Sequence, residues 1–225
     1  MSDTKKTERT FDEADFIKFV DEFKGESDRA AVILGAAKID LLLYQILQQY
    51  LAPITGGKDE LLDGDSPLGT FSAKILLVNR LGLVNDEFTR ALQFVRKIRN
   101  SFAHEVAGCT LDSGAHRDRV KELVAQLKHK NAFIKIRASK FEDKDEPSTN
   151  FRTALAFLVA RLDVLLSHID PVDCYKALSI FSKSALAMGE TANPRSSKKA
   201  TKVAPSKRKP TTHSTGPAQK DAQAG

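Results

Sequence analysis

The sequence has few cysteines and no long uninterrupted apolar run, and each absence excludes a class of protein. Its two cysteines, Cys109 and Cys174, form no CxxC pair, so a disulfide scaffold and a zinc ribbon are excluded. The longest apolar run, 154–166, is interrupted by Arg161 and Asp163, which predicts that no segment spans a bilayer. The N-terminal residues lack the apolar core of a signal peptide. We therefore expect a cytoplasmic protein with reduced thiols and no membrane partner.

Net positive charge is confined to one end of the chain. The protein has 35 Lys and Arg against 29 Asp and Glu, a net charge of +6. Residues 191–225 contribute +7 of this charge, which leaves −1 for residues 1–190. The basicity therefore belongs to a tail and not to the body of the protein.

The tail has too few large apolar residues to offset the entropy lost on ordering, so we predict that 191–225 is disordered. A flexible basic arm can bind DNA or RNA through phosphates without sequence preference. A solubilising tail without a partner is the alternative. The residues that would bind phosphate are Lys198, Lys199, Lys202, Lys207, Arg208 and Lys209.

Apolar residues at three- and four-residue spacing predict an all-α bundle of about seven helices. The predicted helices cover 11–24, 28–51, 70–81, 86–108, 113–127, 148–169 and 170–188. The second is apolar almost all round, which predicts a central, buried helix. We assign 1–10 as a disordered N-terminus and 11–190 as one helical domain. Within it, 131–147 is a polar connection, and 132–136 is a weak candidate for a short strand.

Residues that cap helices predict where several helices begin. The predicted N-cap residues are Ser27, Thr70, Asn85, Ser113 and Ser148. The run Asp63-Gly64-Asp65 predicts a tight turn whose carboxylates bind backbone amides, because the twelfth position of a calcium loop would here be Lys74. No phosphate loop, dinucleotide fingerprint, HExxH motif or basic recognition helix is present, so we expect neither cofactor nor metal.

The segment 96–104 (RKIRNSFAH) concentrates chemically useful side chains. Asn100 and His104 share a helix face with Arg96, whereas Arg99 and His104 lie roughly 140° apart around an ideal helix. An arginine that holds phosphoryl oxygens and a histidine that moves a proton could cleave RNA without a metal. The alternative is structural: the arginines pair with acids on a neighbouring helix, and His104 ends its own helix.

Four segments resemble the bacterial mannitol-operon repressor (MtlR-like) family in order and spacing. They are ESDRAA at 26–31, LLDGDSPLGTFSAK at 61–74, LGLV at 81–84 and RKIRNSFAH at 96–104. The resemblance covers about half the chain and implies an all-helical transcription regulator that acts through protein contacts. It does not extend to 131–225.

The Arg-x4-His segment also resembles the HEPN superfamily, many of whose members are dimeric, metal-independent ribonucleases. That resemblance implies catalytic roles for Arg99 and His104 at a dimer interface, with Asn100 in support. Glu26 and Asp28, at the start of the second helix, would face the same site.

Three hypotheses remain open from the sequence. The first is a homodimeric MtlR-like regulator that binds a protein partner, with nonspecific nucleic-acid affinity in its tail. The second is a HEPN-type ribonuclease of the toxin or defence class that uses Arg99 and His104. The third is a helical interaction module with neither activity. The longer matching segments favour the regulator.

Overall fold

The structure, a computed structural model, describes residues 12–54, 56–105, 108–141 and 144–173. These residues form seven α-helices and no strand, so the predicted all-α bundle is confirmed. The helices are α1 (Glu13–Lys24), α2 (Asp28–Tyr50), α3 (Phe71–Arg80), α4 (Asp86–His104), α5 (Gly114–Leu127), α6 (Asn131–Lys140) and α7 (Pro147–His168). Several predictions concern residues that the structure does not describe. They are the disordered N-terminus at 1–10, the two ends of the helical domain at 11 and 190, and the basic tail at 191–225.

Most helices begin where the sequence predicts. The side chains of Ser27, Thr70 and Asn85 accept hydrogen bonds from the first-turn amides of α2, α3 and α4. Ser113 precedes α5 without a side-chain cap. Gly82 follows α3 with a φ of +73°, a left-handed conformation that glycine adopts readily at a helix end.

Residues 131–140 form α6, so the predictions of a polar connection and of a strand are wrong for this stretch. Phe133 is the buried residue of α6, and its ring centre lies 6.2 Å from that of Phe157 on α7. Ile136, one turn further on, is partly buried and also packs against the core. Two apolar contacts in a helix of ten residues are too few for a clear periodic stripe, which is why periodicity did not predict the helix.

Three predicted helix limits also differ. α7 begins at Pro147 rather than after Ser148, because proline fits the first helical position. α4 ends at His104, one turn earlier than predicted. The helix predicted over 170–188 is wrong over 171–173, which is not helical, and its remainder lies outside the described residues.

The core is built on α2 and α7, which run parallel. Their first turns meet where Ser148 donates to Asp28, and their last turns meet where Gln49 Nε2 donates to the Ile169 carbonyl over 2.8 Å. Gly35 on α2 lies against the side chain of Leu155 on α7, so the two backbones approach closely. α2 is therefore the central helix, as its apolar composition predicts.

The prediction that no segment could span a bilayer overlooked α2. By length and composition this helix is apolar enough to cross a membrane, and half of its most apolar 18-residue window is buried inside the protein. The core helix of a bundle passes the same test. The apolar residues of α2 therefore divide between a buried arc and an exposed one.

Side-chain hydrogen bonds hold the turn at 59–66, which lies between α2 and α3. Asp59 N–H donates to Asp63 Oδ2 over 2.9 Å, and Tyr44 on α2 donates its hydroxyl to Asp63 Oδ1 over 2.8 Å. The hydrogen bond to Asp63 raises the pKa of Tyr44. The predicted turn, with a carboxylate bound to a backbone amide, is confirmed. It fixes the N-terminus of α3 beside α2.

We expect Gly35→Val to destabilise the protein by about 2–3 kcal/mol, because a larger side chain must displace buried Leu155. Ala37→Val, at an exposed position of the same helix, is the control and should cost about 0.5 kcal/mol through helix propensity alone. Urea denaturation measures both. Equal losses in the two variants would contradict the close approach of α2 and α7.

Candidate functional site

The C-terminal half of α4 carries three cations that lack acidic partners. Arg96 Nε donates to Gln93 Oε1 over 2.8 Å, and Lys97 Nζ lies 5.4 Å from the centre of the Phe94 ring. In the described part of the chain, neither these two nor Arg99 forms an ion pair with a carboxylate. The structural alternative, in which the arginines pair with acids on a neighbouring helix, is therefore wrong for these residues.

Arg96, Arg99 and Asn100 line a cleft of about 390 Å³ between α2, α3 and α4. Arg99 Nη1 donates to Asn100 Oδ1 over 3.1 Å, which orients both side chains. The cleft also contains Asp40, but Lys74 Nζ lies 2.7 Å from its carboxylate and balances its charge. The remaining walls are Ile33, Ala36, Ala37, Thr70, Phe71 and Ser72. The cleft therefore combines a positive wall on α4 with walls of mixed apolar and hydroxyl-bearing side chains.

His104 does not line this cleft. It is the last residue of α4, is exposed to solvent, and forms no hydrogen bond or ion pair with any residue that the structure describes. The cleft thus brings together Arg99 and Asn100 and leaves the third residue of the predicted catalytic group outside its lining.

The end of α4 is held by Arg29 on α2. The Arg29 guanidinium donates to the carbonyls of Phe102 and Glu105 over 2.5 and 2.6 Å. Carbonyls at a helix C-terminus lack intrahelical partners and carry partial negative charge, so a cation there is stabilising. Sequence analysis did not predict this role, since Arg29 and Phe102 lie far apart in the chain.

Asp28 and Glu26, predicted to face the same site as Arg99, belong to a structural junction. The Asp28 carboxylate accepts hydrogen bonds from Leu111 N–H (2.8 Å), Ser148 Oγ (2.5 Å) and Arg152 Nη1 (3.0 Å). The carbonyl of Glu26 accepts from Arg152 Nη2 over 2.6 Å, and its side chain is exposed. Neither residue lines the cleft.

The junction keeps Asp28 ionised although the carboxylate is mostly buried. Burial by itself raises the pKa of Asp28, but the hydrogen bonds from Leu111, Ser148 and Arg152 outweigh it and lower the pKa below the ordinary value. The charge of the buried carboxylate is balanced by Arg152, whose side chain is nearly inaccessible. The junction therefore stabilises the fold most strongly when Asp28 is charged.

The outer face of α2 exposes apolar side chains next to the cleft. Ile33, Leu34 and Leu41 are 36%, 47% and 49% exposed, and Ala37 lies between them on the same face. Ile33 and Ala37 also line the cleft, so the face and the cleft are continuous. We call them together the α2–α4 surface.

A larger cavity of about 600 Å³ lies at the opposite end of α4. Its lining includes Phe88, Leu127, Phe157, Leu162 and Leu165. None of the residues predicted from the Arg-x4-His segment belongs to it. The cavity is larger than the cleft, and its lining also includes the charged residues Glu87, Lys130 and Arg161, but it contains none of the residues that the sequence predicts as a site.

The remaining predicted site residues cannot be placed. The six basic tail residues from Lys198 to Lys209 lie outside the described residues.

Comparisons with known proteins add little. No protein-family model matches the chain, and no curated protein matches it. One solved structure, the X-ray structure of the MtlR–HPr complex from Escherichia coli, is similar, with a TM-score of 0.45 and 16% sequence identity over 69% of this chain and 99% of that chain. A likeness at that level does not establish a function for this chain.

We expect Asp28→Asn to destabilise the protein by about 2–4 kcal/mol at neutral pH, because it leaves buried Arg152 without its counter-charge. The folded-state pKa of Asp28 is lowered, so its contribution is complete above the unfolded pKa of about 3.9 and is lost as the pH falls through the folded value. The stability difference between wild type and variant should therefore shrink on acidification below about pH 4.

Urea denaturation at several pH values measures this difference. Asp21→Asn, at an exposed carboxylate on α1, is the control and should change stability by less than about 0.5 kcal/mol. Two variants that lose equal stability, or a difference that does not depend on pH, would contradict the role of the junction.

Proposed function

We propose that this protein is an MtlR-like regulator that acts by binding another protein, and that the α2–α4 surface is its binding site. The observation that carries the proposal is the continuous surface of Ile33, Leu34 and Leu41 with the cations of α4 at its edge. Support also comes from the sequence resemblance, whose segments 61–74 and 96–104 contribute Thr70, Phe71 and the arginines to the cleft.

The mixture of apolar and basic residues favours a protein over a nucleic acid. Exposed apolar side chains that share one face are typical of protein interfaces, since they gain free energy when water is removed from them. A nucleic-acid phosphate backbone offers nothing to leucine side chains. The partner that fits the α2–α4 surface is an apolar patch bordered by carboxylates, which would meet Arg96, Lys97 and Arg99.

Ribonuclease activity is the competing function. Arg99 and Asn100 line the cleft, and an arginine there could hold a phosphate. A proton-transferring histidine must lie within hydrogen-bond reach of the reacting oxygen. Within one chain His104 lies outside the cleft, so the reaction would need a second copy to supply it.

The partner can be captured with a photo-cross-linking amino acid placed at Leu41 in living cells. We expect an adduct with one protein of defined mass. The same amino acid at Glu122, an exposed position on α5, is the control and should give no such adduct. Adducts only between two copies of this chain, or identical adducts at both positions, would contradict the proposal.

The protein identified in this way should then be purified and titrated with this chain. We expect Leu34→Asp and Arg99→Glu each to weaken binding about 10-fold or more, because the first buries a charge in the interface and the second opposes an acidic partner. Lys121→Glu, an equal charge reversal on exposed α5, should leave the affinity within about twofold. Unchanged affinity in both surface variants would reject the α2–α4 surface as the site.

We expect wild-type protein not to cleave a mixed RNA pool in excess EDTA, because His104 lies outside the cleft. Gel electrophoresis of the RNA measures cleavage, with Arg99→Ala and His104→Ala proteins as controls. Cleavage by wild type that both substitutions abolish without a change in melting temperature would instead establish the HEPN-type activity.

A further inference from the structure

Three metal-ligating side chains converge beyond the end of α4. Cys109 Sγ lies 2.6 Å from Glu105 Oε2 and 4.0 Å from His116 Nε2, and His116 Nε2 lies 3.1 Å from Glu105 Oε1. All the ligand atoms of the cluster lie within 4.8 Å of one another. Sequence analysis predicted no metal, because these residues match no ligand motif and are brought together by the loop between α4 and α5.

The histidine of this cluster is fixed in place. His116 is buried in α5, and its ring centre lies 4.7 Å from that of Phe102 on α4. This packing directs Nε2 toward the carboxylate and the thiol, so the core and the contact with Glu105 together orient the imidazole. The cluster therefore has one rigid member and two that can adjust.

The geometry differs from that of a nucleophilic Cys–His–acid triad. In a triad the acid binds one imidazole nitrogen and the nucleophile binds the other. Here both Glu105 and Cys109 approach Nε2, and Nδ1 is buried without a hydrogen-bond partner among the described residues. The carboxylate, thiol and imidazole ligand atoms instead lie around one shared position, which is the arrangement of a metal site.

We propose that Glu105, Cys109 and His116 form a three-residue Zn²⁺ site with a water in the fourth position. Thiolate, imidazole and carboxylate are the ligands that zinc takes in proteins, and a set of three protein ligands leaves an open position. In a tetrahedral site with zinc–ligand distances of about 2.0 and 2.3 Å, the ligand atoms lie about 3.3–3.6 Å apart.

Small adjustments bring the three side chains to that geometry. His116 Nε2 lies 3.4 Å from Glu105 Oε2 and 4.0 Å from Cys109 Sγ, both close to the tetrahedral values, so the rigid histidine need not move. The separation of Sγ and Oε2 must increase from 2.6 Å. Glu105 can supply this movement, because its side chain is 49% exposed. The same exposure gives the ion access from solvent.

The charges of the ligands fit a divalent cation, since thiolate and carboxylate together balance the charge of Zn²⁺. Two cations lie nearby, Arg29, which donates to the Glu105 carbonyl, and Arg119, which donates to the Ser101 hydroxyl. Among the described residues neither arginine lies within ion-pair distance of the Glu105 carboxylate, whose ionic partner is His116. The carboxylate remains available as a ligand.

Titration of the tag-free full chain with Zn²⁺, and separately with Co²⁺ as a spectroscopic substitute, tests the site. We expect one ion per chain, a dissociation constant below about 1 µM for Zn²⁺, and a higher melting temperature in its presence. Co²⁺ should give the visible bands of a tetrahedral ion together with a thiolate charge-transfer band in the near ultraviolet.

Cys109→Ser and His116→Gln should each weaken Zn²⁺ binding at least about 100-fold, and Cys109→Ser should abolish the charge-transfer band. Glu105→Gln changes the most exposed of the three side chains, so this variant should fold normally and should also bind Zn²⁺ more weakly. His129→Gln is the matched control, because His129 Nε2 lies 3.3 Å from Glu87 in a pair that lacks a thiol. Cys174→Ser is the control for the second cysteine.

Binding that survives in Cys109→Ser and Glu105→Gln, or that is lost equally in His129→Gln or Cys174→Ser, would overturn the proposal. The absence of saturable binding by wild type would do so as well. The outcome does not depend on the proposed protein-binding function, since the α2–α4 surface contains none of the three ligands.

Discussion

The Asp28 carboxylate sets the arrangement of the helices. It lies at the first turn of α2, where it accepts hydrogen bonds from the loop that precedes α5 and from the first turn of α7. The next residue, Arg29, binds the last carbonyls of α4. Two consecutive residues thus hold three other parts of the chain, and Arg152 closes the junction by binding the Glu26 carbonyl as well.

This junction explains why α2 and α7 run parallel. Antiparallel packing would place the N-terminus of α7 at the far end of α2, away from Asp28. In the parallel arrangement the positive end of each helix dipole lies beside the buried carboxylate, which offsets the repulsion between the two helix ends. The close approach at Gly35 follows, because both helices are already fixed at their first turns.

Local interactions could be predicted from the sequence, and distant ones could not. The caps at Ser27, Thr70 and Asn85, the Asp63 turn and the central position of α2 follow from residues within a few positions of one another. The ion pair between Asp28 and Arg152, in contrast, joins residues that no spacing rule connects. The convergence of Cys109 and His116 depends on how the α4–α5 loop folds. α6 is not predicted because only Phe133 and Ile136 pack against the core, which is too short an apolar pattern to show a helical period.

The junction and the α2–α4 surface differ in how much of their chemistry the fold uses. At the junction the Asp28 carboxylate accepts hydrogen bonds from Leu111, Ser148 and Arg152. Arg99, Leu34 and Leu41 at the α2–α4 surface gain little from the fold, because their side chains are exposed to water. Natural sequences tend to satisfy local rules except where function requires otherwise. A partner that covered the leucines would gain the free energy of removing water from them, and acidic residues on it would pair with the arginines in the same contact.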